Sequence, residues 1–386
     1  MIDRVVKLFR FSLATRISAS ARSDRRCSRR ISARKSLFFG VVALGVLTVG
    51  LTAALEDVRP EWRDPEFGFR LQQLKEWKQK TPERPLVLAL GSSRMQFDLS
   101  PAAMDFSDEP DEPLVYNLGY RGSRPNLAAL NLVRVLDAGI RPRCVLIEFS
   151  PIAYAHIGMT QGNMFTDDLR TWPSRFSLRD VGRMWELDES PSDDRGVSMR
   201  WLAGYATPWS TQRLVLLSRW LPNWLPQIKT VPVNVHAQPS DRYGFAPAIA
   251  ITITDENRRL KLLGVQAGYN HVADMLAKFG RIPPLSPITG VLVRRCRAEG
   301  IPVAFVWLPE SPNIQGWFPQ FQAIGETYAA KLTRDYGVAL FPAPHQPEED
   351  FRDGVHLLPS GAQRYSRWLA DTHLKPWLVG QGLMRP

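Results

Sequence analysis

Cysteine is nearly absent from this chain of 386 residues, which carries only Cys27, Cys144 and Cys296. So few thiols, with no Cys/His cluster at zinc-ligand spacing, exclude a disulfide framework and a zinc-finger-like metal site. A Cys144–Cys296 bridge is conceivable in an oxidising compartment, but both flank core-like sequence, so buried free thiols are the expectation. Internal repeats are lacking too, which excludes solenoids and propellers. Charge of either sign is missing from Leu37 to Leu55, LFFGVVALGVLTVGLTAAL. Nineteen uncharged residues match the length of a helix that crosses a ~30 Å hydrocarbon layer, so one membrane span is expected there.

The globular part also lacks a basic excess. The formal net charge is +11, but Met1 to Ser36 holds eleven Lys and Arg against Asp3 and Asp24, leaving only +2 for everything that follows. That balance removes the main argument for nucleic-acid binding. A basic tail (1–36) before an apolar span (37–55), with Glu56 and Asp57 after it, predicts a cytoplasmic N-terminus and an extracytoplasmic domain by the positive-inside rule. A cleaved signal peptide is the alternative, since Thr52-Ala53-Ala54 resembles a small-residue cleavage site. The apolar run exceeds the usual signal core and favours an uncleaved anchor.

What is present has a clear grammar. Residues 56–84, rich in charge, Trp and Pro, read as a stalk with a helix between Phe69 and Lys80. From Pro85, short apolar runs read as strands buried on both faces: Leu86–Leu90, Pro113–Gly119, Cys144–Phe149, Pro302–Trp307 and Val338–Phe341. Helical periodicity separates them at Pro125–Gly139 and Pro287–Gly300, and a last helix is expected from Pro359 to about Asp371. Strand, helix, strand with a Gly stop is the pattern of an α/β fold, a doubly wound parallel sheet. Between about 154 and 284 the alternation fails. That segment holds Trp172, Trp185, Trp201, Trp209, Trp220 and Trp224, and reads as an insertion whose rings build a small core of their own rather than line a sugar cleft.

Chemistry gathers at the carboxyl ends of the strands, where parallel α/β sheets bind ligands. Gly91-Ser92-Ser93 closes the first run, Asn117-Leu-Gly-Tyr-Arg-Gly122-Ser123 follows the second, and Asp353-Gly-Val-His356 follows the last. A Ser hydroxyl needs a His to take its proton, and that His works best when a carboxylate orients it. The order Ser93, Asp353, His356 meets that need. Gly122 would bring a backbone N–H to an oxyanion without a side chain in the way. Arg94, Arg121 and Arg124, in the two loops flanking this cleft, are candidates for holding an anionic or carboxylate-bearing substrate.

On these blocks the chain resembles the SGNH, or GDSL-like, hydrolase superfamily over roughly Arg84 to Leu378, the insertion excepted. The resemblance implies a flavodoxin-like three-layer sandwich from 85 to 378, with Ser93 as nucleophile, His356 as base, Asp353 as its orienting acid, and Ser93 and Gly122 as oxyanion donors. It implies no metal and no cofactor. The family's third block, Gly-x-Asn-Asp, is absent: the chain reads Glu148-Phe149-Ser150-Pro151 instead. With the N-terminal span, this is similar to the branch that contains teichoic-acid D-alanylation and alginate O-acetylation proteins, which act on cell-envelope polysaccharide. The implied activity is a membrane-anchored extracytoplasmic esterase or O-acyltransferase working on an acylated glycan or other ester. The alternative is a catalytically silent module that binds glycan or partners a membrane acyltransferase.

Overall fold

Five runs of consecutive apolar residues form five strands, β1 (Leu86–Leu90), β2 (Leu114–Asn117), β3 (Cys144–Phe149), β4 (Val303–Trp307) and β5 (Ala339–Phe341). In the computed structural model they make one all-parallel sheet in the order β2-β1-β3-β4-β5. Strands β1 to β4 are buried along their whole length, as expected of strands covered on both faces. Alternation then divides each strand between two cores. Leu86, Leu88 and Leu90 face one hydrophobic cluster, while Val87 and Ala89 face the other. The structure describes residues 19–154, 175–187, 195–224, 240–247, 255–279 and 282–385.

The chain forms two compact units, Met1–Ala54 and Leu55–Pro386. In the first, helix α1 (Ala19–Ala53) takes in part of the basic tail as well as the apolar run. The segment Ser32–Val58 is helical, long enough and apolar enough to cross a membrane, and it contains the expected span 37–55.

In the second unit, α2 (Pro65–Lys80) precedes β1, α3 (Ser93–Asp98) follows it, and α4 (Pro125–Asp137) crosses from β2 to β3. The insertion between β3 and β4 carries α5 (Leu178–Leu187), α6 (Arg195–Ala206), α7 (Arg213–Trp220) and α8 (Asp255–Phe279), with no strand among its described residues. Helix α9 (Ile288–Ala298) leads into β4, α10 (Pro319–Tyr336) into β5, and α11 (Pro359–Leu369) closes the fold. The helices α4, α9 and α10 pack on one face of the sheet. Tyr365 and Leu369 of α11 pack on the other. Each Leu or Phe so buried contributes about 1.5–3 kcal/mol. Cys144 and Cys296 are both buried free thiols, and burial pushes the Cys296 thiol up to about 12.

Two expectations fail here. Residues 56–84 are not a stalk: Phe67 and Leu74 of α2 lie in the main core. The reason is polar as well as apolar. Arg70 is buried and donates to the carbonyls of Asn117, Gly119 and Gly244. Asp64, at the N-cap of α2, is ion-paired at 3.1 Å with Arg134 of α4, which also grips Asp180 of α5 at 2.7 and 2.9 Å. Charged residues that read as solvated are the pins that fasten this segment to the domain. The insertion's tryptophans also depart from expectation. Trp201 is buried against Tyr205, but Trp185, Trp209, Trp220 and Trp224 are exposed; Trp172 lies outside the described residues.

Replacing Arg70 by Met strands three buried carbonyls, so the variant should lose about 3 kcal/mol or more of stability. Lys should not rescue it, because one ammonium lacks the planar fork that spans three acceptors. Denaturant midpoints of the two variants against wild type make the test, and an unchanged midpoint would show α2 to be dispensable.

Candidate active site

The nucleophile candidate stands on the turn between β1 and α3. Ser92 caps α3, its hydroxyl accepting from Arg94 N–H at 3.1 Å, which leaves Ser93 as the first helical residue with its hydroxyl outward. Glu148, near the end of β3, holds this turn from below. Its carboxylate accepts the Ser92 N–H at 2.5 Å and the Ser92 hydroxyl at 2.9 Å. Gly91 is required for that approach, since a Cβ there would lie 2.5 Å from the Glu148 carboxylate oxygen.

Ser93 Oγ lies 2.9 Å from His356 Nε2, although 263 residues separate them in sequence. His356 Nδ1 lies 2.9 Å from Asp353 Oδ2 and 3.1 Å from Oδ1. The Asp353-Gly-Val-His356 turn is closed by its own acid, because Asp353 Oδ1 also accepts the His356 backbone N–H at 2.9 Å. Gly354 makes the turn possible by taking φ +90, a left-handed conformation costly for any other residue. Burial opposes ionisation of Asp353, but the His356 ring and the backbone N–H groups of His356 and Val355 outweigh it and hold the carboxyl below its ordinary value. Its contribution to stability is therefore present above the usual carboxyl range and lost only as pH falls through that lowered pKa.

Three further residues fix the relative positions of these loops. Asp98, the last residue of α3, is fully buried and accepts the backbone N–H of Leu357, next to His356, at 2.7 Å. Phe97 packs edge-to-face on the His356 ring, with centroids 5.4 Å apart. Asn117 donates to the carbonyls of Met95 and Leu99 and accepts from Gly119 N–H, tying α3 to the loop after β2. Nothing in the sequence marks Asp98 or Phe97, whose partners lie more than two hundred residues away. Asn117 and Glu148 stand beside motif residues, but their roles depend on which strands are neighbours.

The remaining candidates divide. Arg94 does not face the cleft, and its reading as a substrate-binding residue is corrected. It is buried, paired with Glu310 at 3.2 Å, and donates to the carbonyls of Leu308 and Pro309, so it fastens the loop after β4. Glu310 also accepts from Tyr269 of α8 at 3.0 Å, which brings the insertion to the rim. Arg121 is half-buried; its guanidinium stacks over Phe97 at 5.5 Å, and its Nε donates to Gln96 at 3.4 Å. Gly122, beside it, is exposed on the same loop, with φ +69. Arg124 is exposed and lines a small recess with Gly91, Ser92, Ser123, Glu148 and Ser150. The geometry thus joins Ser93, His356 and Asp353 directly, links Arg121 to the His356 ring through Phe97, puts Arg124 in a recess beside Ser92, and removes Arg94.

Burial raises the Asp98 carboxyl well above its ordinary value, with Arg94 opposing. A raised folded-state pKa means that stability from this group is complete below the usual carboxyl range and declines as pH climbs towards the folded value. Asp98→Asn keeps an acceptor for Leu357 N–H and should melt at least as high as wild type near about pH 8, with the advantage shrinking towards about pH 4. A variant that is destabilised most at the higher pH would show Asp98 to be ionised and stabilising. No protein-family model matches this chain, and no curated protein matches it.

Proposed function

We propose that the chain is a membrane-anchored, extracytoplasmic serine enzyme of SGNH type, with that family's three-layer sandwich, acting on acyl esters of a cell-envelope glycan. The observation that carries this reading is the unbroken relay from Ser93 Oγ to His356 Nε2 and from His356 Nδ1 to Asp353, each step at 2.9 Å. The Asp353 contact favours the tautomer with the proton on Nδ1, which leaves Nε2 free to accept the Ser93 proton.

In the proposed reaction Ser93 Oγ attacks the ester carbonyl as His356 Nε2 takes its proton, and Asp353 stabilises the imidazolium. The backbone N–H groups of Ser93, in the first turn of α3, and of Gly122 hold the oxyanion. Collapse expels the alcohol, which leaves with the proton from His356, and an acyl-serine remains. Water then gives an esterase, and a sugar hydroxyl an O-acyltransferase. In this reading Arg121 and Arg124, on the loop after β2, bind an anionic polymer. Ser150-Pro151 stands where the family has its Asn donor, and the loss of that oxyanion donor slows hydrolysis and transfer alike, which gives the silent module its support. The apolar helix Ser32–Val58, with basic residues on its N-terminal side, supports the anchor and the orientation.

Full-length protein in detergent is the material for the test, since α2 belongs to the fold. With an acetyl ester, and with acetyl transfer to an acidic polysaccharide, Ser93→Ala and His356→Ala should each lower kcat/KM by on the order of 10³ or more, and Asp353→Asn should also lower it severely. Background rates shared by wild type and Ser93→Ala on both substrates would leave a silent module that binds glycan or docks on a membrane acyltransferase.

A further inference from the structure

The exposed aromatic residues of the insertion have no part in the proposed chemistry. Between Arg195 and Trp224 the chain holds four Trp and four Arg and neither Asp nor Glu. Met199, Leu202, Trp209, Trp220, Leu221 and Trp224 in this stretch are each between 41% and 74% exposed. Large apolar side chains held in water are costly unless something covers them. Trp and Arg without acids is also the composition that suits a lipid headgroup region, where indole rings settle at the interface and guanidinium groups meet phosphate.

The stretch is fastened to the residues that leave the apolar helix. Trp220 packs edge-to-face on Trp62, with centroids 5.6 Å apart. Arg63 lies over the Tyr205 ring at 5.2 Å, and Gln212 donates to the Arg63 carbonyl at 3.4 Å. Trp62 is four residues beyond Val58, the last residue of the apolar helix, a reach of at most about 14 Å. A surface pinned to that point cannot stand far from the membrane that the helix enters.

We propose that Met199–Trp224 rests on the bilayer, with Trp209, Trp220 and Trp224 at the headgroup level and Arg213 on anionic lipid phosphate. The proposal rests on the reading that Ser32–Val58 spans the membrane. A domain held at two places on the lipid surface, by its span and by this stretch, keeps one orientation to the membrane, whereas a span alone leaves it free to swivel.

The test uses the full chain reconstituted in vesicles of phosphatidylcholine and phosphatidylglycerol, with and without bromine on the acyl chains near the headgroup. The first Trp of the sequence is Trp62, so the span itself contributes no signal. Wild type should lose roughly a quarter of its tryptophan emission to brominated lipid, the share of three among twelve Trp. Trp209→Phe/Trp220→Phe/Trp224→Phe, which keeps an apolar surface but removes the reporters, should be quenched far less. Arg213→Glu should weaken quenching of the wild-type tryptophans in anionic vesicles. Equal fractional quenching in wild type and the triple variant, with the chain still resisting carbonate extraction, overturns the lipid contact and leaves the span intact. Release by carbonate overturns both. Shielding of the three tryptophans from aqueous iodide without lipid quenching would assign the surface to a protein or a second copy, and overturns the proposal equally.

Discussion

Carboxylates that accept backbone N–H groups set the geometry of this site. Glu148 takes the amide of Ser92, Asp98 that of Leu357, and Asp353 that of His356. Each bond fixes a main-chain segment beside a residue of the relay rather than the reacting side chain itself, so the Ser93 hydroxyl and the His356 ring are free to react while their supports are not. At Asp353, whose carboxyl is held below its ordinary value, the bond is charge-assisted and about twice as strong as a neutral one, and partial burial limits the water that would compete for it. Asp98 joins the end of α3 to the turn before α11, segments 259 residues apart in sequence.

Arginine plays the complementary part. Arg70, Arg94 and Arg134 are all buried, and each gathers carbonyls or carboxylates from segments distant in sequence. Arg94 shows how proximity to a motif misleads. It follows the nucleophile directly, yet on a helix consecutive residues point in different directions, and Arg94 turns inward while Ser93 turns to the cleft. The same physics makes α2 part of the domain. Its charged surface is one half of a buried network whose other half lies on α4, α5 and the loop after β2.

The insertion joins the two ends of the molecule's proposed activity. Helix α8 reaches the rim of the cleft through Tyr269 and Glu310, and its Leu262 lies against the Gly354 turn. The stretch from α6 to Trp224 fastens to the chain just after the apolar helix. An enzyme working on an envelope polymer needs its cleft turned towards that polymer, and an insertion with contacts at both places is suited to hold it so.

Elements whose cause is local were legible in the sequence. The five strands announce themselves as short apolar runs, because a strand covered on both faces has no polar side. Helices α4, α9 and α11 carry their boundaries in Pro and Gly, and the long uncharged run marks the apolar helix. Ser93, Asp353 and His356 were legible as well, as motifs on the loops after the first and last strands, although Asp353 and His356 stand on a turn well beyond β5, which ends at Phe341. Long-range electrostatics were not. That Asp98 would hold Leu357, that Glu148 would support Ser92, and that Arg70 would bind the loop after β2 follows from the strand order β2-β1-β3-β4-β5, which local patterning leaves open. A buried charge reads in sequence like a solvated one, and only the fold decides which partner it meets.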